Sequence, residues 1–65
     1  MIEVLILPTR DRAEADSPEG AVCAARTMIA DAIAAHCVQG YRPTATFLVA
    51  GRAVASNLTQ ADLGT

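Results

Sequence analysis

The chain opens on an apolar run, Ile2-Glu-Val-Leu-Ile-Leu7, rich in β-branched residues and stopped by Pro8, which predicts a strand over residues 2–7. Its alternation sends Ile2, Val4 and Ile6 to one face and Glu3, Leu5 and Leu7 to the other, so both faces are apolar, the pattern of a central or doubly covered strand. Residues 8–17 hold no large apolar side chain and mix charge with alanine; they read as an exposed connection and the most mobile part of the chain. Ser17-Pro18-Glu19 is then a helix start: a hydroxyl for an orphan N–H, a proline at the first helical position and an acid at the positive dipole end. An alanine-rich run without proline follows to Gly40, so a helix is expected over 18–39. At 100° per residue its inner stripe is Val22, Ala25, Ile29, Ala32, Ile33 and His36, with Met28 at the edge and Thr27, Asp31 and Ala34 opposite.

Two further extended segments are expected, 44–50 and 53–56, joined through a Gly51-Arg52 turn into an antiparallel hairpin. Phe47 and Val49 would face the helix, and Thr44, Thr46 and Leu48 would face away. A short helical turn over 58–63, capped by Ser56 or Asn57 and ended by Gly64, closes the chain. The expected fold class is α+β, in two layers and strand-helix-strand-strand order: a three-stranded sheet with one long helix packed on one face. The helix acts as a right-handed crossover between the parallel first and second strands. The other face then shows Leu5, Leu7, Leu48 and Val54, a sizeable apolar patch for a lone monomer. The C-terminal segment, a second copy or a foreign partner could cover it.

Composition narrows the function more than it identifies it. Sixty-five residues make one domain, and fourteen alanines leave large apolar groups scarce. A positive mean hydropathy of +0.32 and only 18% charged residues argue for a folded chain. Five arginines against seven acids give a net charge of −2, which disfavours direct binding to nucleic acid. Residues 8–20 carry Arg10 and Arg12 against Asp11, Glu14, Asp16 and Glu19, and that imbalance equals the net charge of the whole chain. No apolar run reaches membrane-spanning length, and the N-terminus lacks the basic start of a signal peptide, so a cytoplasmic protein without membrane contact is expected.

The chemical inventory is thin. Cys23 and Cys37 stand 14 positions apart, about 21 Å along a straight helix, too far for a disulfide or a shared metal shell. Both are expected to be packed thiols. His36 and Cys37 diverge by about 100° on a helix and form no catalytic pair. The four acids of residues 11–19 have no apolar wall to raise a pKa, so they read either as solvated loop charge or as a patch for a basic groove on another protein. Tyr41, Arg42 and Arg52 supply residue types favoured as interface anchors. No phosphate-binding, dinucleotide, Cys-x-x-Cys or His-Glu-x-x-His motif is present, and neither a cofactor nor a metal is expected.

The strand, helix and hairpin order resembles the small tautomerases in architecture, but the catalytic N-terminal proline of that family is replaced by Ile2 after Met1. Sulfur carriers of the ubiquitin-like kind end in Gly-Gly, where this chain ends Gly64-Thr65. In its overall character, very short, acidic, single-domain and free of motifs, the chain resembles phage-encoded anti-CRISPR proteins. That resemblance implies a non-enzymatic inhibitor, in the host cytoplasm if phage-encoded, that occludes a nucleic-acid-binding surface on a CRISPR effector. Asp11, Glu14, Asp16 and Glu19 would stand in for phosphates, with Tyr41, Arg42 and Arg52 as a second contact set. As a monomer or small homo-oligomer it would bind a protein partner, such as a nucleic-acid-binding complex. The alternative is a homo-oligomeric small-molecule binder or minor enzyme whose site lies between subunits, around Leu5, Leu7 and Leu48.

Overall fold

The computed structural model describes residues 1–36 and 39–64. Its elements are β1 (Ile2–Leu7), β2 (Asp11–Ala15), α1 (Pro18–His36), β3 (Thr44–Val49) and β4 (Arg52–Leu58), a small α+β domain with one helix. The sheet has four strands in the order β2-β1-β3-β4, and every neighbouring pair is antiparallel. Two expectations are corrected here. Residues 8–17 are not simply a connection, because Asp11–Ala15 form an edge strand, which makes the sheet four-stranded. That extra strand reverses the chain before the helix begins. The helix therefore returns the chain to the far end of β1, and β3 runs antiparallel to β1, where a parallel crossover was expected.

Local chemistry explains each element. β2 is half apolar in disguise: Ala13 and Ala15 lie opposite Val4 and Ile2 and pack on the core, while Arg12 and Glu14 take the other face. A tight turn at Pro8-Thr9-Arg10 joins it to β1, with Arg10 at φ 67° and its N–H donating to the Ile6 carbonyl at 2.7 Å. The Ser17 hydroxyl accepts from the Gly20 N–H at 3.1 Å and caps α1. The β3–β4 turn is Ala50-Gly51, not Gly51-Arg52. Both central residues have positive φ, 53° and 78°, as the two-residue turn favoured by strand twist requires. β4 is longer than the expected 53–56 and carries two irregularities: the partner register jumps at Val54, and again between Ala55 and Leu58, where Asn57 sits at φ 57°.

The core lies between α1 and one face of the sheet. Val4, Ile6, Ala21, Ala25, Ile29 and Ala45 are buried there, with Phe47, Leu58, Val22 and Ile33 packed around them. The described helix ends at His36; residues 37 and 38 of the expected span lie outside the described residues, and Gln39 and Gly40 form a turn. His36 is exposed, so it leaves the expected inner stripe, and Ala21 joins that stripe. The last segment makes helical turns, with the Leu63 N–H donating to the Thr59 carbonyl at 3.2 Å. Its cap is neither Ser56 nor Asn57. The Asp62 carboxylate accepts from the Thr59 N–H at 3.0 Å and from its hydroxyl at 3.1 Å, a reciprocal box closed by the Asp62 N–H on the Thr59 hydroxyl. Leu63 inserts into the core on the helix side, so among the described residues the 59–64 segment does not pack on the opposite face of the sheet.

Candidate functional site: an acidic corner and an open sheet face

The face of the sheet turned away from α1 follows from register. β1 sends Glu3, Leu5 and Leu7 to it, β2 sends Arg12 and Glu14, and β3 sends Thr44, Thr46 and Leu48. The three leucines are half-buried by their neighbours alone, and Thr46, across from Leu5, is buried. No element packs over them among the described residues. Val54, expected on this face, projects from the β4 irregularity and is 64% exposed.

At the end of the sheet where β2 runs into α1, acids gather. Glu3 and Glu14 lie directly across β1 and β2, Asp16 follows β2, and Glu19 sits in the first helical turn. Like charges opposed on a sheet repel. The Arg12 guanidinium, 3.4 Å from Glu3, answers part of this, and it is the one ion pair among the described residues. Asp11 stands at the other end of β2 and faces the helix side, opposite Ile6, next to a shallow groove shared with Met28, Asp31 and His36. Glu14 and Asp16 thus lie at the β2–α1 end, Glu19 stands on the helix side beside Val22 and Arg26, and Asp11 is a strand's length away, roughly 14 Å.

Tyr41 and Arg42 also meet. They line a cleft of about 260 Å³ with Ile33, Pro43 and the Thr59–Ala61 segment. The Tyr41 ring lies 4.5 Å from the His36 ring, tilted by 34°, and its buried hydroxyl has no hydrogen-bond partner. Arg52 begins β4 at the opposite end of the molecule and on the opposite edge from β2, so it belongs to neither group. Cys23, expected to be packed, is an exposed free thiol on α1; Cys37 lies outside the described residues.

The Thr59 N–H and hydroxyl hold the Asp62 carboxyl below the usual carboxylate value. That is a capping interaction at an exposed turn. Among the described residues no group of three or more His, Cys, Asp or Glu is placed to hold a metal, and no helix is long and apolar enough to cross a membrane. Sequence reasoning missed Glu3 as a member of the acidic corner. Its signal is an acid at an alternating position of an otherwise apolar strand, but only the pairing of β2 with β1 brings Glu14 beside it. Compared with known proteins, the chain matches no family model, no curated protein and no solved structure.

Proposed function

We propose that this protein is a non-enzymatic inhibitor that binds another protein and occludes a basic, nucleic-acid-binding surface on it. The observation that carries this reading is the gathering of acids at the β2–α1 end of the sheet: Glu3 lies across from Glu14, Asp16 follows β2 and Glu19 opens the helix, with Arg12–Glu3 the one ion pair among the described residues. Carboxylates fixed on an edge strand lose less conformational freedom on docking than carboxylates on a loose loop. They also steer encounter with a positive groove. The small phage anti-CRISPR proteins, which the chain resembles in character, suggest the target class: the guide- or target-binding channel of a CRISPR effector. Tyr41 and Arg42, brought together at the far end of the sheet, offer a second contact area to a partner that wraps the domain.

The test is a competition assay. Guide-loaded effector complexes of several classes are incubated with the protein, and target-DNA binding is followed by gel shift at two salt concentrations. Inhibition that weakens with salt is expected with at least one class. The triple variant Glu14→Lys, Asp16→Lys, Glu19→Lys should keep its circular dichroism spectrum and lose inhibition. Unchanged inhibition by that variant sinks the acidic-corner reading, and failure to inhibit any effector class sinks the choice of target.

A further inference from the structure

Along the flank of α1 that borders the C-terminal turn, the charged side chains are all cations. Arg26, Thr27 and Ala30 line a shallow hollow of about 430 Å³, and Gln60 lines it with them. Gln60 also lines the cleft of about 260 Å³ that holds Ile33 and Arg42. The three- and four-residue spacing of Arg26, Thr27, Ala30 and Ile33 keeps them on one side of the helix, so the two hollows follow one another along it and share Gln60. Both arginines are exposed, and neither forms an ion pair among the described residues. No acid among those residues lines either hollow.

We propose that this groove docks an extended acidic segment of a partner protein, with its carboxylates on Arg26 and Arg42. The inference goes beyond the inhibitor reading, which is carried by the acids at the β2–α1 end, and does not depend on it.

Charge sets the occupant and its limits. The other flank of α1 borders a groove where Asp11 and Asp31 outnumber Arg12, which disfavours a carboxylate there. Toward the start of the helix the next hollow adds Glu19 beside Arg26 and ends the cationic stretch. An acidic chain is therefore accepted on one side of the helix only. Nucleic acid fits less well. A phosphate backbone asks for a longer run of cations than two in a chain of net charge −2. Base stacking asks for an open ring, whereas Tyr41 is half-buried against His36.

The helix sets the spacing. Arg26 stands about 10 Å from Ile33 along the helix axis, and Ile33 shares its cleft with Arg42. An extended chain covers about 10 Å in three residues. Two carboxylates three positions apart thus match the two arginines, whose planar forks suit carboxylate geometry. Exposed pairs of this kind are weak and screened by salt, so the dissociation constant is on the order of a millimolar at low ionic strength.

Amide-resolved NMR of the full chain, titrated with a capped octapeptide carrying two glutamates three positions apart, reads this out. Saturable shifts are expected over residues 23–30, 41–42 and 59–61, and binding should weaken several-fold between about 20 mM and about 150 mM salt. Arg26→Gln and Arg42→Gln should each raise the dissociation constant about threefold and together abolish the shifts. Both side chains are exposed, so the circular dichroism spectrum should not change. A peptide with glutamines in place of its glutamates that binds as tightly overturns the charge argument. Free glutarate giving the same shifts at the same concentration overturns the extended segment. Octathymidylate binding more tightly than the glutamate peptide overturns the choice of a protein partner. Shifts confined to residues outside the two hollows, or none at all, overturn the site.

Discussion

Ile29 offers the most direct test of where this fold keeps its stability. It is fully buried near the middle of α1, one of the three largest side chains sealed from solvent, with Val4 and Ile6. Truncating it to alanine removes three carbons, worth about 2.4 kcal/mol in transfer energy at roughly 0.8 kcal/mol each. Beside it on the buried face of α1 stand the small side chains Ala25 and Ala32, and Val4 and Ile6 of β1 share its core cluster. Alanines cannot lean into a void, so a cavity term adds to the transfer term and brings the total to about 3–4 kcal/mol. A domain of this size has roughly 3–10 kcal/mol in all, so Ile29→Ala should fall near the edge of folding. The assay is urea unfolding followed by far-ultraviolet circular dichroism, at a protein concentration low enough to keep the chain monomeric. With a slope near 1 kcal/mol/M for a small domain, the midpoint should drop by about 3 M. Leu48→Ala, on the open face, should cost about 1 kcal/mol or less under the same conditions. Equal losses at Ile29 and Leu48 would refute the assignment of the core to one face of the sheet.

Three further outcomes check local features. Ser17→Ala removes the acceptor for the Gly20 N–H and should cost about 1 kcal/mol in the same titration, while Ser17→Asp should keep most of it. Ala50 adopts φ 53°, a conformation that disfavours a Cβ by roughly 1–2 kcal/mol; Ala50→Asn should raise the unfolding midpoint, and Ala50→Val should lower it. Asp62 has its carboxyl held below the ordinary value by Thr59. A depressed folded-state pKa contributes stability that is present above the unfolded value and is lost as pH falls through the folded one. Acidification should therefore release the Thr59 amide, seen as increased hydrogen exchange of the 59–64 turn in NMR, and Thr59→Ala should move the Asp62 titration upward.

The parts of the fold legible in the sequence are those where large apolar residues mark the period. β1 reads from Ile2, Val4 and Ile6, the helix from its cap and its alanine-rich face, and β3 from Phe47 and Leu48. β2 was illegible for a physical reason: its inward positions are Ala13 and Ala15, and beside Arg12 and Glu14 they give no visible alternation between large apolar and polar residues. Missing that strand also reversed the direction assigned to β3, since the orientation of every later element depends on how many times the chain has turned. The β3–β4 turn moved by one residue because Ala50 takes a backbone conformation usually left to glycine or asparagine. The acidic corner was half legible. The four acids were visible as a charge imbalance, but only β2 separates Asp11 from the rest and adds Glu3.

The distribution of large aliphatic residues carries one more step. Antiparallel sheets of this kind can leave one face to water if that face is polar, and threonine suits such positions as well as leucine does. This chain is short of large apolar groups, yet it places Leu5, Leu7 and Leu48 on the face that the helix does not cover, while Ala13, Ala15 and Ala45 fill inner positions. Folding alone gains little from leucines whose outer surfaces meet solvent. A triple change, Leu5→Thr, Leu7→Thr and Leu48→Thr, separates the two demands. If the face serves only the monomer, the variant should lose stability in proportion to the area removed and keep every association the parent has. If the face is an interface, the low-concentration unfolding midpoint should move little while self-association disappears. The unfolding midpoint is expected to move little, because the residues that hold the helix to the sheet are all on the other side.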